Sequence, residues 1–340
     1  MKVAGPGTAD AARIGVVIPY YQREAGLLRR ALGSVAAQEH TPVQVVVVDD
    51  GSPRAAAEEI TPELRAALRG LTVIRQANQG VAAARNAALD ALADEVSAIA
   101  LLDSDDYWQP AHLRRAATAL TLGADFFFSN SRVEGETTDY FHQHPRRDLL
   151  ANAQRIEEAR DLKRWSADIS ALFGAGCIFR TATVVFRRGV MPDLRFPTEF
   201  RRAGEDQVAF WELLTRSSVI MFCGEPTLVY GSQGLGIWKN STFGSAAHLV
   251  RLADEIRLRR HVLRNYPVST GDRRLMRRAI NERRQEALLS TSHLLRRRRL
   301  DVLNAVLYLW RVDPLCAASW CIDLPQLLLR KLRGARAPSG

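Results

Sequence analysis

The sequence has few cysteines and no long apolar run. The 340 residues include four cysteines, which form no C-x-x-C pair and no paired metal-ligand spacing, so neither a disulfide framework nor a zinc site is indicated. No segment has the roughly 18 uncharged apolar residues that a membrane-spanning helix needs. The N-terminal sequence MKVAGPGTADAARIG has no apolar signal core. We therefore expect a cytoplasmic protein.

Two common nucleotide-binding motifs are also missing. The first apolar run is followed by YYQREAG rather than by G-x-G-x-x-G, and no G-x-x-x-x-G-K-[ST] occurs. A standard dinucleotide-dependent dehydrogenase and a P-loop NTPase are therefore disfavoured. The C-terminal part has no helix-turn-helix pattern, zinc finger or RNP-like aromatic motif, so we expect no nucleic-acid partner.

Short β-branched runs alternate with helical patterns in the first part of the chain. Continuous apolar runs of this kind are typical of strands that are buried on both faces of a parallel sheet. The alternation predicts a doubly wound α/β sheet, in which ligands bind beyond the carboxyl ends of the strands. The predicted strands are residues 14–19, 43–48, 71–75, 97–102 and 125–129, and the predicted helices are residues 27–38, 55–68, 81–93 and 110–122.

The residues at the predicted strand ends are acidic. Asp49 and Asp50 follow the second strand, and Asp103, Asp105 and Asp106 follow the fourth. Acidic groups repel a phosphate unless a hard divalent cation bridges the two, so we expect Mg²⁺ or Mn²⁺ as cofactor. In an extended stretch, side chains two residues apart point the same way, and the first and second carboxylates of D-S-D are therefore expected to converge on one site.

Positive charge is concentrated near the C-terminus. The whole chain has a formal net charge of +10, and residues 250–340 hold 20 Arg and Lys against 8 Asp and Glu. Residues 246–333 have a helical pattern, with interruptions at 265–272 and 312–314. Two interpretations stay open. The basic amphipathic helices attach to an anionic membrane surface, or they pack on the preceding domain with a solvated arginine face.

Five motifs occur in the order VVIPYYQ, VVVVDDGS, NQGVAAARN, LLDSDDYW and GEDQVAFW, over roughly residues 14–230. In this order and spacing they resemble the family 2 glycosyltransferases. The resemblance implies an inverting, hexosyltransferase-like enzyme with a GT-A fold, a doubly wound mixed sheet flanked by helices. Together with the charge and helical pattern near the C-terminus, it leads us to expect an N-terminal tail (1–13), a catalytic domain (14–245) and a basic helical C-terminal region (246–340).

The resemblance assigns residues to the binding of a nucleotide-sugar donor. Pro19 and Tyr21 match the turn that packs on the nucleotide base, and an aromatic ring offers the stacking face that a base needs. Asp50 matches the carboxylate that accepts a hydrogen bond from the base in members that use uridine nucleotides, so a UDP-linked donor is implied. Asp103 matches the contact with the ribose or a metal-bound water, and Asp105 matches the metal ligand.

The segment NQGVAAARN matches a loop that opens a helix beside the donor. Asn78, Gly80 and Arg85 are its implied binding residues, since glycine allows close backbone approach and a helix N-terminus favours a diphosphate. Arg85 has a structural ion pair as its alternative role. Asp106 extends the acidic motif, with capping of the next helix as its alternative.

The motif GEDQVAFW supplies the implied base. Asp206 matches the carboxylate that deprotonates the acceptor hydroxyl, and Glu205 is a candidate acceptor ligand; the alternative for both is interaction with the helix dipole. The glycine-rich stretch 230–244 reads as a loop that closes over the substrates or as an ordinary surface loop. Trp238 is a candidate for stacking on a sugar and Lys239 for contacting the diphosphate.

The expected reaction is transfer of a sugar to the hydroxyl of a saccharide or lipid-linked acceptor, in the synthesis of cell-surface polysaccharide or glycolipid. Two alternatives remain. One is a catalytically idle module of the same fold that acts as a basic membrane or protein adaptor. The other is a nucleotidyltransferase, which is disfavoured because no basic glycine-rich loop follows the first strand.

Overall fold

The computed structural model describes residues 12–68, 70–145, 147–172, 177–231, 241–296 and 302–318. Contacts between residues divide the chain into two units. The first unit consists of Met1–Arg201 and Glu205–Leu235, and the second consists of Arg202–Gly204 and Gly236–Gly340.

The first unit is built on one mixed sheet, which has ten strands within the described residues, in the order β3-β2-β1-β4-β9-β6-β10-β8-β7 with β5 paired to β10. The strands β1 to β4 are mutually parallel, while β9 runs antiparallel between β4 and β6. The strands are β1 (Ile14–Tyr20), β2 (Gln44–Asp50), β3 (Leu71–Gln76), β4 (Ala98–Leu101), β5 (Tyr107–Trp108), β6 (Phe126–Val133), β7 (Gln154–Ile156), β8 (Ala159–Arg164), β9 (Val185–Arg187) and β10 (Ile220–Tyr230).

Helices flank this sheet. Short 3-10 helices lie at Ile169–Leu172, Thr181–Thr183 and Arg188–Val190. The α-helices are α1 (Leu27–Ala36), α2 (Ala56–Glu59), α3 (Pro62–Ala67), α4 (Val81–Asp90), α5 (His112–Thr121), α6 (Tyr140–Gln143), α7 (Arg147–Ala151) and α8 (Glu205–Arg216).

The predicted α/β sheet is confirmed. Every residue of β1 is buried, as its uninterrupted apolar sequence predicts for a strand covered on both faces. In the register of the sheet, Ile18 pairs with Val47 and Val17 pairs with Leu101, so β1, β2 and β4 end at the same edge. The acidic residues that follow β2 and β4 therefore emerge side by side.

The single helix predicted over residues 55–68 is wrong, because two short helices, α2 and α3, occupy this segment. Pro62 has no backbone N–H to donate, and it stands at the first turn of α3, where none is needed. The hydroxyl of Thr61 caps α3 by accepting a hydrogen bond from Leu64 N at 3.3 Å. The cap and the proline together start a new helix within the predicted one.

The second unit is helical in its described part, as the C-terminal pattern predicts. It contains α9 (Ala246–Asn265), α10 (Thr270–Arg296) and α11 (Leu303–Val312), whose apolar faces share one buried cluster. The fully buried carboxylate of Asp313 receives the guanidinium groups of Arg260 on α9 and Arg284 on α10. A search of the described residues finds no helix with the length and apolar character to cross a membrane.

Candidate active site

The carboxylate of Asp50 organises the loop that follows β3. Its Oδ1 accepts hydrogen bonds from Gln76 Nε2 (2.8 Å) and Gln79 N (2.9 Å), and its Oδ2 accepts one from Gly80 N (2.8 Å). Asn78 Nδ2 donates to the backbone oxygen of Asp50 at 3.0 Å. The predicted donor residues Asp50, Asn78 and Gly80 are therefore brought together at the end of β2.

Gly80 also forms the N-cap of α4. Its φ of 94° and ψ of 164° lie in a region that residues with a side chain rarely adopt, so glycine suits this position. No side chain caps the helix here. The first turn of α4 therefore retains backbone N–H groups and the positive end of the helix dipole beside the strand ends, which suits an anionic ligand.

The D-S-D-D segment after β4 is a turn rather than the extended stretch expected from the sequence. Asp106 N donates to Asp103 O at 3.1 Å and closes the turn. Asp103 and Asp105 are half-buried, whereas Asp106 is buried. Asp103 and Asp105, the first and third residues of the turn, are still partly accessible. Their convergence on one site does not follow from the alternation of side chains along a strand, because the segment is not extended.

Asp106 does not cap the following helix, so that alternative is wrong. The N-cap of α5 is Ala111, and the Asp106 Oδ1 instead accepts a hydrogen bond from Gly231 N at 2.9 Å. Burial, followed by the charges of Asp103 and Asp105, raises the pKa of Asp106 well above its ordinary value. Asp106 thus connects the acidic turn to the end of β10 from a buried position.

Arg85 on α4 connects the two acidic motifs. Its Nη2 donates to Asp103 Oδ1 and its Nη1 donates to Glu205 Oε1, both at 2.8 Å. The side chains of Arg85 and Glu205 are 4% and 6% exposed, and that of Asp103 is 32% exposed. The structural ion pair that the sequence left open for Arg85 is therefore present, and it joins the acidic turn after β4 to the start of α8.

The charges of this network shift the pKa of its members. Burial, helped by the charge of Asp206, raises the pKa of Glu205 to about 7, although the Arg85 guanidinium opposes the shift. Burial acts to lower the pKa of Arg85, but the carboxylates of Asp103, Glu205 and Asp206 outweigh it and the net shift is upward. Arg85 therefore stays protonated at every working pH.

The hydroxyl of Thr181 orients Asp206, the predicted base. Thr181 Oγ1 donates to Asp206 Oδ2 at 2.6 Å, and Gln207 N donates to Asp206 Oδ1 at 2.7 Å. Thr181 lies in the short 3-10 helix before β9, in a stretch without periodic pattern, so no local sequence pattern indicates this contact. The carboxylate is thus held from both sides at the beginning of α8.

Gln22, which sequence reasoning missed, connects the loops after three strands. Its backbone N–H donates to Ser52 Oγ at 2.8 Å, and its Nε2 donates to Ser104 Oγ at 3.2 Å. Pro19 is buried in β1. Tyr21, which precedes the hydrogen-bonded Gln22, is 36% exposed. The ring of Tyr21 is therefore accessible at the edge where the acidic turns meet, as a base-stacking role requires.

A divalent cation suits the chemistry of the acidic turn. Among the described residues, no cluster of three or more His, Cys, Asp or Glu side chains is arranged to enclose a metal ion. Mg²⁺ is commonly held by one or two carboxylates together with phosphate oxygens of the substrate and water. The half-buried Asp103 and Asp105 are such carboxylates. Trp238 and Lys239, the two candidates in the glycine-rich stretch, lie outside the described residues.

This arrangement, a mixed α/β sheet with acidic turns at its strand ends and the pair Glu205-Asp206 at the start of α8, is typical of a glycosyltransferase. The sequence profile described as glycosyl transferase family 2 matches residues 15–184. The succinoglycan biosynthesis protein ExoW of Rhizobium meliloti (strain 1021) is 30% identical over an alignment of length 325, and the match covers 89% of this chain and 95% of ExoW. The chain belongs to glycosyltransferase family 2 and is an enzyme of that class.

Solved structures share the fold. TarS of S. aureus (residues 1-349), solved in complex with UDP-GlcNAc, is 16% identical with a TM-score of 0.52, and the match covers 92% of each chain. The mannosyltransferase PcManGT of Pyrobaculum calidifontis, solved with GDP-Man and Mn²⁺, is 18% identical with a TM-score of 0.53, and the match covers 90% of this chain and 80% of PcManGT. At these identities the likeness shows the GT-A fold alone.

Proposed function

We propose that this enzyme transfers a sugar from a UDP-linked donor to a hydroxyl acceptor, with inversion and with the help of Mn²⁺ or Mg²⁺. The observation that carries this proposal is the Arg85 bridge between Asp103 and Glu205, at 2.8 Å on each side. This bridge fixes the position of the acidic turn relative to the pair Glu205-Asp206. The acidic turn suits the leaving diphosphate, and the pair suits the acceptor.

Asp206 is the proposed base. The acceptor hydroxyl attacks the anomeric carbon while its proton passes to Asp206, and the bond from that carbon to the diphosphate oxygen breaks. A single displacement of this kind inverts the anomeric configuration. Thr181 and Gln207 hold the carboxylate through hydrogen bonds of 2.6 and 2.7 Å, which limits its rotation. The neighbouring Glu205 is the proposed acceptor ligand.

The donor lies, in this proposal, along the edge formed by the ends of β1, β2 and β4. Tyr21 stacks on the base, and Asp50 accepts its imide N–H through Oδ2, which receives one hydrogen bond from the described residues, from Gly80 N, and has a second lone pair. The N-terminus of α4 faces the diphosphate. Asp105 would hold the cation with Asp103 close by, and the cation would neutralise the charge that develops on the leaving diphosphate.

The relatives suggest the biological setting. ExoW is named for succinoglycan biosynthesis, and its match covers most of both chains. We therefore propose that the enzyme acts in the synthesis of a cell-surface polysaccharide or glycolipid, on a saccharide or lipid-linked acceptor. The cytoplasmic location remains a prediction.

We also propose that the helical unit binds an anionic membrane surface. Leu303, Leu307 and Leu315 are 51%, 57% and 56% exposed. Leu303, Leu307 and the exposed Arg311 follow a spacing of four residues, which places them along one side of α11, and Leu315 comes after the end of this helix. An apolar stripe with basic residues around it is typical of interfacial attachment. The excess of 20 basic over 8 acidic residues in 250–340 supports the choice of an anionic surface.

Calorimetric titration with UDP and with GDP, in Mn²⁺, in Mg²⁺ and in EDTA, tests the donor proposal. We expect UDP to bind in either metal and not in EDTA, because the carboxylates of the acidic turn repel an unscreened diphosphate. Equal affinity in EDTA would exclude the metal bridge, and tighter binding of GDP would exclude a uridine donor.

Asp105→Asn should weaken the metal-dependent binding of UDP. Asp161→Asn is the matched control, because it removes the same charge from a half-exposed residue that is paired with Arg115 at 2.9 Å. If the two variants bind UDP equally, Asp105 is not the metal ligand.

A further inference from the structure

Arg180, which no part of the proposed mechanism uses, is held between two aromatic rings. Its guanidinium carbon lies 4.7 Å from the ring centre of Tyr140 and 4.2 Å from that of Tyr230. Its Nε donates to Ser131 Oγ at 3.1 Å. The Tyr140 hydroxyl in turn donates to Cys177 O at 2.7 Å, which holds that ring in place. The cation is thus fixed by two cation–π contacts and one hydrogen bond.

This half-buried cation has no carboxylate partner in the part of the chain that the structure describes. The buried Arg85 pairs with Glu205 and the half-buried Arg115 pairs with Asp161, while the half-buried Arg187 and Arg188 donate to backbone oxygens. The two Nη groups of Arg180 make no hydrogen bond to a described residue, whereas Nε does. A guanidinium presents two parallel N–H groups that match the oxygens of a phosphate.

The position of Arg180 is at the candidate active site. The next residue, Thr181, donates to the carboxylate of Asp206. Tyr230, which contacts the guanidinium, is followed by Gly231, whose N–H donates to Asp106. Arg180 is therefore next in the chain to the residue that orients the base, and it contacts the ring that precedes the residue bonded to the acidic turn.

We propose that Arg180 is a phosphate-binding residue of this active site, and that its two Nη groups contact phosphate oxygens of a substrate. The inference rests on the proposed function. The phosphate comes either from the diphosphate of the donor or from a phosphate group of the acceptor. In both cases the two tyrosine rings hold the guanidinium in its binding orientation before the ligand arrives, which lowers the entropy lost on binding.

The test compares the full-length wild type with Arg180→Met, titrated calorimetrically with UDP and with uridine in Mn²⁺. Methionine keeps an apolar chain between the rings and removes the charge. If the donor supplies the phosphate, the variant binds UDP about 10- to 100-fold more weakly, as expected for lost charge-assisted hydrogen bonds, and binds uridine as the wild type does.

Arg195→Met is the matched control. Arg195 pairs with Asp90 at 2.6 Å, and both side chains are more than half exposed. Asp90 is the last residue of α4, at the opposite end from the donor loop, so the control removes the same charge away from the site. Its UDP affinity should equal that of the wild type. Arg180→Gln repeats the test if the methionine variant does not fold.

A second titration distinguishes the two phosphate sources. Inorganic phosphate is added to protein that is saturated with UDP and Mn²⁺. If UDP affinity is unchanged in Arg180→Met but phosphate binds to the wild type alone, the acceptor supplies the phosphate and the proposal stands. If neither UDP nor phosphate binding changes, the proposal is overturned. A wild type that binds neither UDP nor GDP overturns the proposed function, and this inference with it.

Discussion

Arg85 and Glu205 are separated by 120 residues in the chain, yet their side chains meet at 2.8 Å in a buried ion pair. Breaking a buried pair by removing one partner is expensive, because the remaining charge has neither water nor a counter-charge. Here the remaining group would be a carboxylate at the start of α8, next to the proposed base. The pair therefore connects the stability of the first unit to the geometry of its active site.

Arg85→Met should lower the free energy of unfolding by about 3 kcal/mol at pH 8, as expected for a broken buried pair. Urea unfolding followed by circular dichroism measures it. The double variant Arg85→Met/Glu205→Gln should recover part of the loss, since glutamine leaves no buried charge. Arg195→Met, which breaks an exposed pair, should change stability by less than about 1 kcal/mol. Equal losses in the two single variants would contradict the structural role of Arg85.

The raised pKa of Glu205 predicts a pH-dependent stability. Its pKa is about 7 in the folded protein, where burial is the main cause, and its ordinary value is 4.5. Between these two values the folded state holds a proton that the unfolded chain has released, so the stability contributed by Glu205 falls as pH rises through this window. Relative to Glu205→Gln, the wild type should lose on the order of 3 kcal/mol between pH 4.5 and pH 7.

Urea unfolding of both proteins at pH 5, 6, 7 and 8 tests this expectation. The glutamine variant cancels the contributions of all other titrating groups, because these are common to the two proteins. A stability difference that is constant with pH would show that Arg85 keeps Glu205 ionised throughout the range.

The parts of the site that the sequence predicted are those that follow regular strands. Asp50 is the last residue of β2 and Asp103 lies two residues beyond β4, each after a buried β-branched or apolar run, and parallel strands that start on one side of a sheet must end together on the other. Their proximity therefore follows from local pattern and topology. The roles assigned to these residues remain predictions, since a fold likeness does not test them.

The site features that the sequence analysis does not predict depend on tertiary contacts, and these contacts have no local sequence pattern. Thr181 and Arg180 belong to a segment between β8 and β9 that has no periodic pattern, and their importance comes from the residues that they meet in space. The turn at Asp103 was mistaken for an extended stretch because one hydrogen bond, from Asp106 N, decides its shape. Sequence periodicity does not report such single contacts.

Asp206→Asn should separate chemistry from binding. We expect a UDP affinity close to that of the wild type and a turnover that is lower by a factor of about 10² to 10⁴, which is the usual contribution of a positioned base. Release of UDP from a panel of UDP-sugars, with water as the acceptor, provides the measurement. Loss of UDP affinity with unchanged turnover would contradict the assignment of the base.

Thr181→Val tests the hydrogen bond that orients this base. Losing one hydroxyl donor at 2.6 Å should reduce turnover by about tenfold, corresponding to roughly 1.4 kcal/mol, and should leave UDP affinity unchanged. Thr181→Ser keeps the hydroxyl and should retain most of the activity. If serine and valine reduce turnover equally, the hydroxyl has no positioning role.

The exposed stripe at α11 predicts a membrane interaction in two parts. Basic residues near an anionic surface contribute about 1 kcal/mol each, and this attraction fades in 1 M salt, where the Debye length is about 3 Å. Inserted leucine side chains contribute roughly 1.5 to 3 kcal/mol each, and salt does not remove their effect. The full-length protein should therefore co-sediment with vesicles that contain phosphatidylglycerol, and high salt should weaken this binding without abolishing it.

The double variant Leu303→Gln/Leu307→Gln should lose the binding that remains in 1 M salt and keep part of the binding at low salt, because it removes apolar surface and no charge. Leu289→Gln is the control, since Leu289 is 48% exposed on α10 and does not belong to the stripe. Equal losses in the double variant and the control would show that α11 is not the inserting element. A wild type that stays in the supernatant at every salt concentration would contradict membrane attachment and leave the assignment as a glycosyltransferase intact.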